Sequence, residues 1–259
     1  MKKTKFISLL AVLAIGAQSA MMPILANAEA SAMYIENSDF SDCAIGGAVG
    51  KAYYGLNILL DGGPWLSKGS ATQHYETYMH DDERNVNYCN FYSNSEATGS
   101  GSGSMYVYQR DTTSNFAQTF GHCKFDIRMN EGQMQLQIGS FSDPTSNTDY
   151  IANTISFNTQ SVSATNGGQT KTIASIKPGE WYTVEIAINN PLQEVDITVA
   201  DSSGKIIGQA EGLAYQQQQC EAVKIWCFGY VRGIPYDYDL TNVTIEKSTD
   251  TTNPYEIIK

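Results

Sequence analysis

Beyond Ser31 the chain has no long stretch with apolar residues at helical spacing. Short apolar or alternating runs recur instead between polar and glycine-rich turns. A chain patterned with period two throughout must pair its strands into sheets and bury one face of each. The clearest runs are Met105 to Arg110, His122 to Met129, Gln133 to Phe141, Tyr150 to Asn158, Trp181 to Asn189, Glu194 to Ala200, Val223 to Tyr230 and Leu240 to Lys247. Asn130-Glu131-Gly132 and Asp201 to Gly204 read as hairpin turns, with glycine where positive φ is needed, so the flanking strands are expected to be antiparallel neighbours. The expected fold class is all-β.

The first 30 residues follow another rule. Lys2, Lys3 and Lys5 precede an apolar run from Phe6 to Ile15 that is short for a membrane span, and Ala26-Asn27-Ala28 or Ala28-Glu29-Ala30 offers small residues for cleavage. Residues 1–30 are therefore expected to be a signal peptide, 31–248 a single sandwich domain and 249–259 a flexible tail on a secreted protein with no membrane span. Within the domain, Ser93 to Ser104 reads as a surface loop, and the glutamines at 216 to 219 as a turn.

With 16 Lys and Arg against 27 Asp and Glu, the net charge of −11 repels nucleic acid and other polyanions, and no basic cluster offsets it. Neutral ligands are favoured. Tyrosine, at 16 residues, outnumbers Phe and Trp together, and its ring with a polar tip suits wet interfaces as well as sheet surfaces. The five cysteines, Cys43, Cys89, Cys123, Cys220 and Cys227, are an odd set, so at least one stays unpaired. Cys220 and Cys227 either close a short loop, or Cys227 is a buried thiol.

The segments Gly179-Glu180-Trp181 to Ile186, Val195 to Val199, Asp201 to Gly204 and Leu240 to Ile245 together resemble the concanavalin A-like and laminin G-like jelly rolls. Thr241 stands where an Asp is common in those proteins. Asn37-Ser38-Asp39-Phe40 is similar to the Asn-x-x-Phe opening of secreted carbohydrate-binding members. The resemblance implies an all-β, two-sheet antiparallel sandwich of jelly-roll type and an extracellular glycan as partner. It also implies a structural calcium between the first and last strands, with Glu36, Asp39, Asp237 and Asp239 as its oxygen ligands.

Catalytic signatures are incomplete. The Glu-x-Asp-x-Glu strand of laminarinase-like hydrolases is missing: Glu194 and Asp196 lack a third carboxylate, and Asp81-Asp82-Glu83 is consecutive. Jelly-roll lyases use Gln-x-His and Tyr-x-Lys strands, whereas Gln135-Leu136-Gln137 is followed by Ile138. The segment from His74 to Arg84 concentrates polar groups, so that a looser lyase site could assemble from His74, Tyr75, Tyr78, His80 and Arg84, and the same row would suit a transition metal on His74, Glu76 and His80. Gly99-Ser100-Gly101-Ser102-Gly103 matches an acyl-transfer motif in letters alone.

For binding, Tyr106, Tyr108 and Arg110 alternate on one strand, Trp65 in Gly62-Gly63-Pro64-Trp65 is expected on a loop, and Trp181 and Trp226 in core strands. The outward rows Gln133, Gln135, Gln137 and Lys124, Asp126, Arg128 add hydrogen-bonding groups. These observations favour a secreted carbohydrate-binding sandwich with Trp65, Tyr106, Tyr108 and Arg110 as contacts. The alternatives are a polysaccharide lyase or hydrolase on the same fold, or a protein-binding surface module, and the residues do not decide whether the chain is an enzyme.

Overall fold

The computed structural model describes residues 33–38, 40–41, 45, 57–60, 63–68, 74–93, 106–110, 120–140, 150–220, 223, 225–230, 235–248 and 250–258. The signal segment, Cys43 and most of the 93–104 loop lie outside them. The described residues contain strands and turns and no helix. In chain order the strands are β1 (Met33–Ser38), β2 (Asn57–Leu60), β3 (Gly63–Lys68), β4 (His74–Asp81), β5 (Val86–Ser93), β6 (Tyr106–Arg110), β7 (Phe120–Gly139) and β8 (Ile151–Asn158). They continue as β9 (Ser161–Asn166), β10 (Gln169–Ser175), β11 (Trp181–Asn189), β12 (Glu194–Asp201), β13 (Ile206–Ala214), β14 (Ile225–Tyr230) and β15 (Tyr236–Ser248).

All pairings are antiparallel. One sheet runs β4-β5-β15-β7-β11-β12-β13, with β1 also on β15. The other runs β10-β9-β8-β7-β14-β6-β3-β2. Strand β7 belongs to both: Phe120 to Gly132 pair with β11 and β15, and Gln133 to Gly139 pair with β8 and β14. The two runs expected on either side of an Asn130-Glu131-Gly132 hairpin are thus one continuous strand that changes sheet.

The glycine serves the crossing rather than a reversal. Its φ is +72°, and a Cβ there would sit 1.7 Å from the carbonyl oxygen of Pro235, so any side chain would collide with backbone where β15 begins. The Asp201 to Gly204 turn, by contrast, is the expected β12–β13 hairpin. Gly204 has φ +81° and donates to the Asp201 carbonyl, and the Asp201 side chain accepts from the backbone N–H of Ser203 and Lys205.

The inward faces meet as two layers. Phe125 on the first sheet makes edge contacts with Phe157 and Phe228 of the second, at centroid separations of 6.0 and 5.3 Å, and all three are fully buried. Burying such rings contributes on the order of 2–3 kcal/mol each. One side of the sandwich is pinched shut where Gly208 of β13 passes so close to Ile173 of β10 that a Cβ would lie 2.2 Å from its carbonyl oxygen. Cys89, Cys123, Cys220 and Cys227 are all buried, and no disulfide joins Cys220 to Cys227. Burial pushes the Cys123 and Cys227 thiols up, away from the reactive thiolate. The turn reading of 216 to 219 holds: Gln216 and Gln217 donate backbone N–H groups to the carbonyls of Ala152 and Ile151.

Candidate functional site

Each sheet presents an outer face, and the two are chemically unlike. On the first sheet the outward residues of β7 are His122, Lys124, Asp126 and Arg128. Register places Asn90, Asp239, Arg128 and Trp181 in one row, and Thr241, Asp126 and Thr183 in the next. Arg128 donates from Nε to Asp239 Oδ2 at 2.7 Å and from Nη1 to Asp81 Oδ2 at 3.0 Å. Its guanidinium lies 4.6 Å from the Trp181 ring centre and 5.0 Å from that of Tyr88.

Trp181, expected in the core, is buried on this outer face instead. Its indole N–H donates to Asp81 Oδ2 at 2.8 Å, and Arg84 covers its ring at 5.0 Å. Asp126 accepts from Arg84 at 2.8 Å, Thr183 at 2.6 Å and Asn242 at 3.0 Å. Asp239 also receives amide N–H groups from Asn90 and Asn130, both of which reach Asp237 as well.

Burial nevertheless keeps the Asp239 carboxyl above the usual carboxylate range. Burial pushes the same way at Asp81, but the Trp181 indole, the backbone N–H groups of Arg84 and Glu83, and Arg128 together hold it below that range. Asp81, Asp126, Arg128 and Asp239 satisfy one another and their neighbours as a structural network does, while Arg84 Nη1 is buried without a hydrogen-bond partner.

The same geometry sets Tyr78 and Arg84 of the candidate His74 to Arg84 site apart, while the side chain of His74 lies outside those described. Tyr78 is buried against Phe40, 6.0 Å between ring centres, and His80 Nδ1 bonds to Asn87 Oδ1 at 2.7 Å. Arg84 is committed to Asp126 and Trp181 beyond the end of β4. The segment does not converge on one point; Tyr78 faces the core while Arg84 lies on the outer face.

The calcium set is likewise dispersed. Glu36 pairs with Ile245, six residues along β15 from Asp239 and so on the order of 20 Å away, and Asp39 lies outside the described residues. Asp237 and Asp239 are surrounded by N–H donors, which a cation does not coordinate, and no cluster of three His, Cys, Asp or Glu suited to a metal occurs among the described residues.

Expected as a flexible tail, the C-terminal segment packs on this face. Tyr255 stacks on His122 with centres 5.1 Å apart, and His122 in turn bonds Glu185 at 2.8 Å. Ile257 edges a groove of about 550 Å³ that also touches Lys124, Thr183, Glu185 and Ile206.

The outer face of the second sheet carries no such network. Gln133, Gln135 and Gln137 of β7 pair with Asn158, Ser156 and Thr154 of β8. Ser156 continues to Ser163 of β9 and on to Thr172 of β10. Asn158 reaches Ser161 at 3.1 Å, and Ser161 pairs with Ser175; Thr154 donates its N–H to Thr165 Oγ1 at 3.1 Å, and Thr165 pairs with Thr170. Three rows across four strands thus hold only amides and hydroxyls, half-buried on β7 to β9 and exposed on β10. The middle row is lightly tied, Gln135 Nε2 reaching Ser156 Oγ at 3.4 Å, whereas Asn158 Oδ1 also accepts the backbone N–H groups of Gln160 and Ser161 at 2.8 Å and Thr154 Oγ1 donates to Gln216 at 3.1 Å.

On the other side of β7, β14 adds the small, buried Cys227 and Gly229. Cys227 pairs with both Gln137 and Tyr108, and Gly229 with both Gln135 and Tyr106. The register therefore lines up the two tyrosine positions with the glutamine rows. Arg110 pairs with Ile225, which pairs with Gly139. Trp65 is in strand β3 rather than a loop, opposite Ile58. It is one residue out of step, because Leu66 is the partner of Tyr108.

Sequence reasoning missed β9 and β10, whose apolar positions are few; Gly167 and Gly168, both at positive φ between them, were the available hairpin signal.

No protein-family model matches the chain, and no curated protein does. Among solved structures, the chain is similar to a family 7 alginate lyase, A1-II′, in complex with substrate, at TM-score 0.47 and 13% identity over 71% of this chain and 84% of that one. An alginate lyase from Klebsiella pneumoniae gives TM-score 0.43 and 7% identity over 66% and 84%, and a Lotus tetragonolobus seed lectin 0.37 and 9% over 71% and 93%. All three TM-scores lie below 0.5, and the two-sheet antiparallel architecture stands on the strand register alone.

Proposed function

We propose that this chain is an exported glycan-binding β-sandwich whose ligand face is the outer face of the second sheet. The observation that carries this reading is the register: Tyr106 and Tyr108 align through β14 with Gln135 and Gln137 on a face of amides and hydroxyls. Aromatic rings supply flat apolar area for the faces of sugars, and neighbouring amides both donate and accept, as sugar hydroxyls require. Arg110, on the same strand as the tyrosines, is a further contact; Trp65 falls out of the reading because of its register. The basic start, short apolar run and small-residue site of residues 1–30 support export and an extracellular glycan.

Affinity electrophoresis in gels containing individual polysaccharides tests the proposal. The wild type is expected to be retarded by at least one polymer, and Tyr108→Ala to lose most of that retardation while remaining folded by circular dichroism. Release of new reducing or unsaturated ends from the retarding polymer would replace binding with catalysis.

A further inference from the structure

We infer that the ligand is an uncharged polysaccharide chain lying across the strands, along the register rows from β6 towards β10, so that Gln135, Ser156, Ser163 and Thr172 form successive contacts beyond the tyrosines. The inference rests on the glycan-binding reading above and narrows it in two ways.

The first is charge. The chain carries a net charge of −11, yet none of the twelve outward positions on β7 to β10 is ionisable, although the same strand β7 bears His122, Lys124, Asp126 and Arg128 where it faces out from the other sheet. A polymer of uronates or sulfated sugars would need guanidinium, ammonium or imidazolium groups to offset its charge in a half-buried site and to overcome repulsion by the protein as a whole. On β7 to β10 the rows supply hydroxyls and carboxamides alone, which match a partner whose own groups are hydroxyls; the nearest cationic positions, Arg110 of β6 and Lys68 opposite Tyr106 on β3, lie beyond β14 at the other end of the path.

The second is direction. Along a strand, side chains on one face recur at roughly 6.6–6.8 Å, whereas along a row they recur at the strand spacing of roughly 4.8 Å. The shorter spacing is close to the length of one pyranose unit in an extended chain, so a row presents about one polar group per sugar. The row Gln135, Ser156, Ser163, Thr172 spans four strands and continues through Gly229 to Tyr106. Its six strands cover roughly 24 Å at that spacing, and exposure increases towards β10, where a long chain can leave the protein.

Isothermal titration of the mature protein with β-glucan, galactomannan, xylan, alginate and polygalacturonate, followed by oligosaccharides of two to six units from the best binder, tests both parts. A neutral polymer is expected to bind with an affinity that is the same at low and high salt. Affinity is expected to climb with oligosaccharide length, and Ser163→Ala to weaken the hexamer by about 2- to 10-fold while leaving the disaccharide unchanged.

Salt-sensitive binding of alginate or polygalacturonate in preference to the neutral polymers would overturn the charge class while leaving glycan binding intact. A disaccharide that binds as tightly as the hexamer, or a hexamer indifferent to Ser163→Ala, would overturn the cross-strand path. Absence of binding to every polymer, with the protein folded, would overturn this inference together with the reading beneath it.

Discussion

Strand β7 faces solvent from both sheets, and its two halves could belong to different proteins. Up to Asn130 its outward residues are mostly charged, and Asp126 and Arg128 are drawn into contacts across the sheet: Asp126 takes three donors, and Arg128 bridges Asp81 and Asp239 between two aromatic rings. After Gly132 they are glutamines whose neighbours are serines, threonines and an asparagine. A charge placed on a sheet face must find a partner there or stay in water, and this chain has supplied the partners, so the ionic face is spent on its own stability. Amides and hydroxyls tolerate partial burial with looser contacts and keep bonding capacity for a ligand. On this contrast rests the proposed division, with structure on one face and recognition on the other.

The strongest way to break that assignment is to cut the ionic network at its centre. Arg128→Met leaves Asp239, which is 1% exposed, and Asp81 without their shared cation. A loss of about 3–5 kcal/mol is expected, the magnitude for orphaning a buried charge, and it is read as a lowered midpoint in urea unfolding. Adding Asp239→Leu should recover much of it. A loss below about 1 kcal/mol, the scale of a surface pair, would mean that the network is not structural and that the comparison fails.

Next is the joint between the halves. Gly132→Ala forces a Cβ into the Pro235 carbonyl at a positive φ, and strain of roughly 2–4 kcal/mol is expected from the left-handed backbone and the collision together. If the crossing were instead a loose hairpin, the variant would unfold like the wild type.

A smaller effect distinguishes the faces by pH. The hydrogen bond from His122 holds the Glu185 carboxyl below its ordinary range, against a weaker opposing push from burial, and Lys124 and the charge of His122 assist. Because the folded-state value is the lower one, the stability this contributes is complete above the unfolded value near 4.5 and is lost as pH falls through the folded value. Thermal midpoints should therefore decline less steeply below that pH in Glu185→Gln than in the wild type. Glycan retention, depending on rows that on β7 to β10 hold no ionisable group, should stay flat wherever the protein is folded.

Much of this was legible beforehand. Strands β11, β12 and β15 announced themselves through alternating Val and Ile, and Asp201 to Gly204 announced their hairpin partner β13. The β7 crossing did not, since a positive-φ glycine after Asn-Glu has the same letters whether the chain reverses or bends, and only the Pro235 carbonyl packed against it decides. Trp181 misled because tryptophan is usually core; here an outward ring is buried by two arginines, one from β7 and one from the turn after β4, which local periodicity does not reveal. His74 to Arg84 looked like a site because polar residues crowded in sequence, but the β4–β5 register turns Tyr78 into the core. Hydroxyl rows of β8 to β10 escaped notice for the opposite reason: serine and threonine carry little signal singly, and the rows exist only once four strands are in register.

The mildest change is the most discriminating. Gln135→Glu puts one carboxylate in the middle row, beside Ser156 and level with Tyr106 through Gly229. The site is half-buried, its neighbours offer hydroxyl donors and no buried partner is orphaned, so the change in stability should stay within about 0.5 kcal/mol. Binding should respond much more, because the new charge must shed water to meet a neutral ligand and the amide N–H that served a sugar oxygen is gone; a loss of about 10-fold or more in affinity is expected by titration, with the unfolding midpoint nearly unmoved. The mirror substitution on the ionic face, Glu185→Gln, should do the reverse and alter acid stability without touching affinity. A pair of variants that both change stability, or both change binding, would erase the division between the faces that β7 draws.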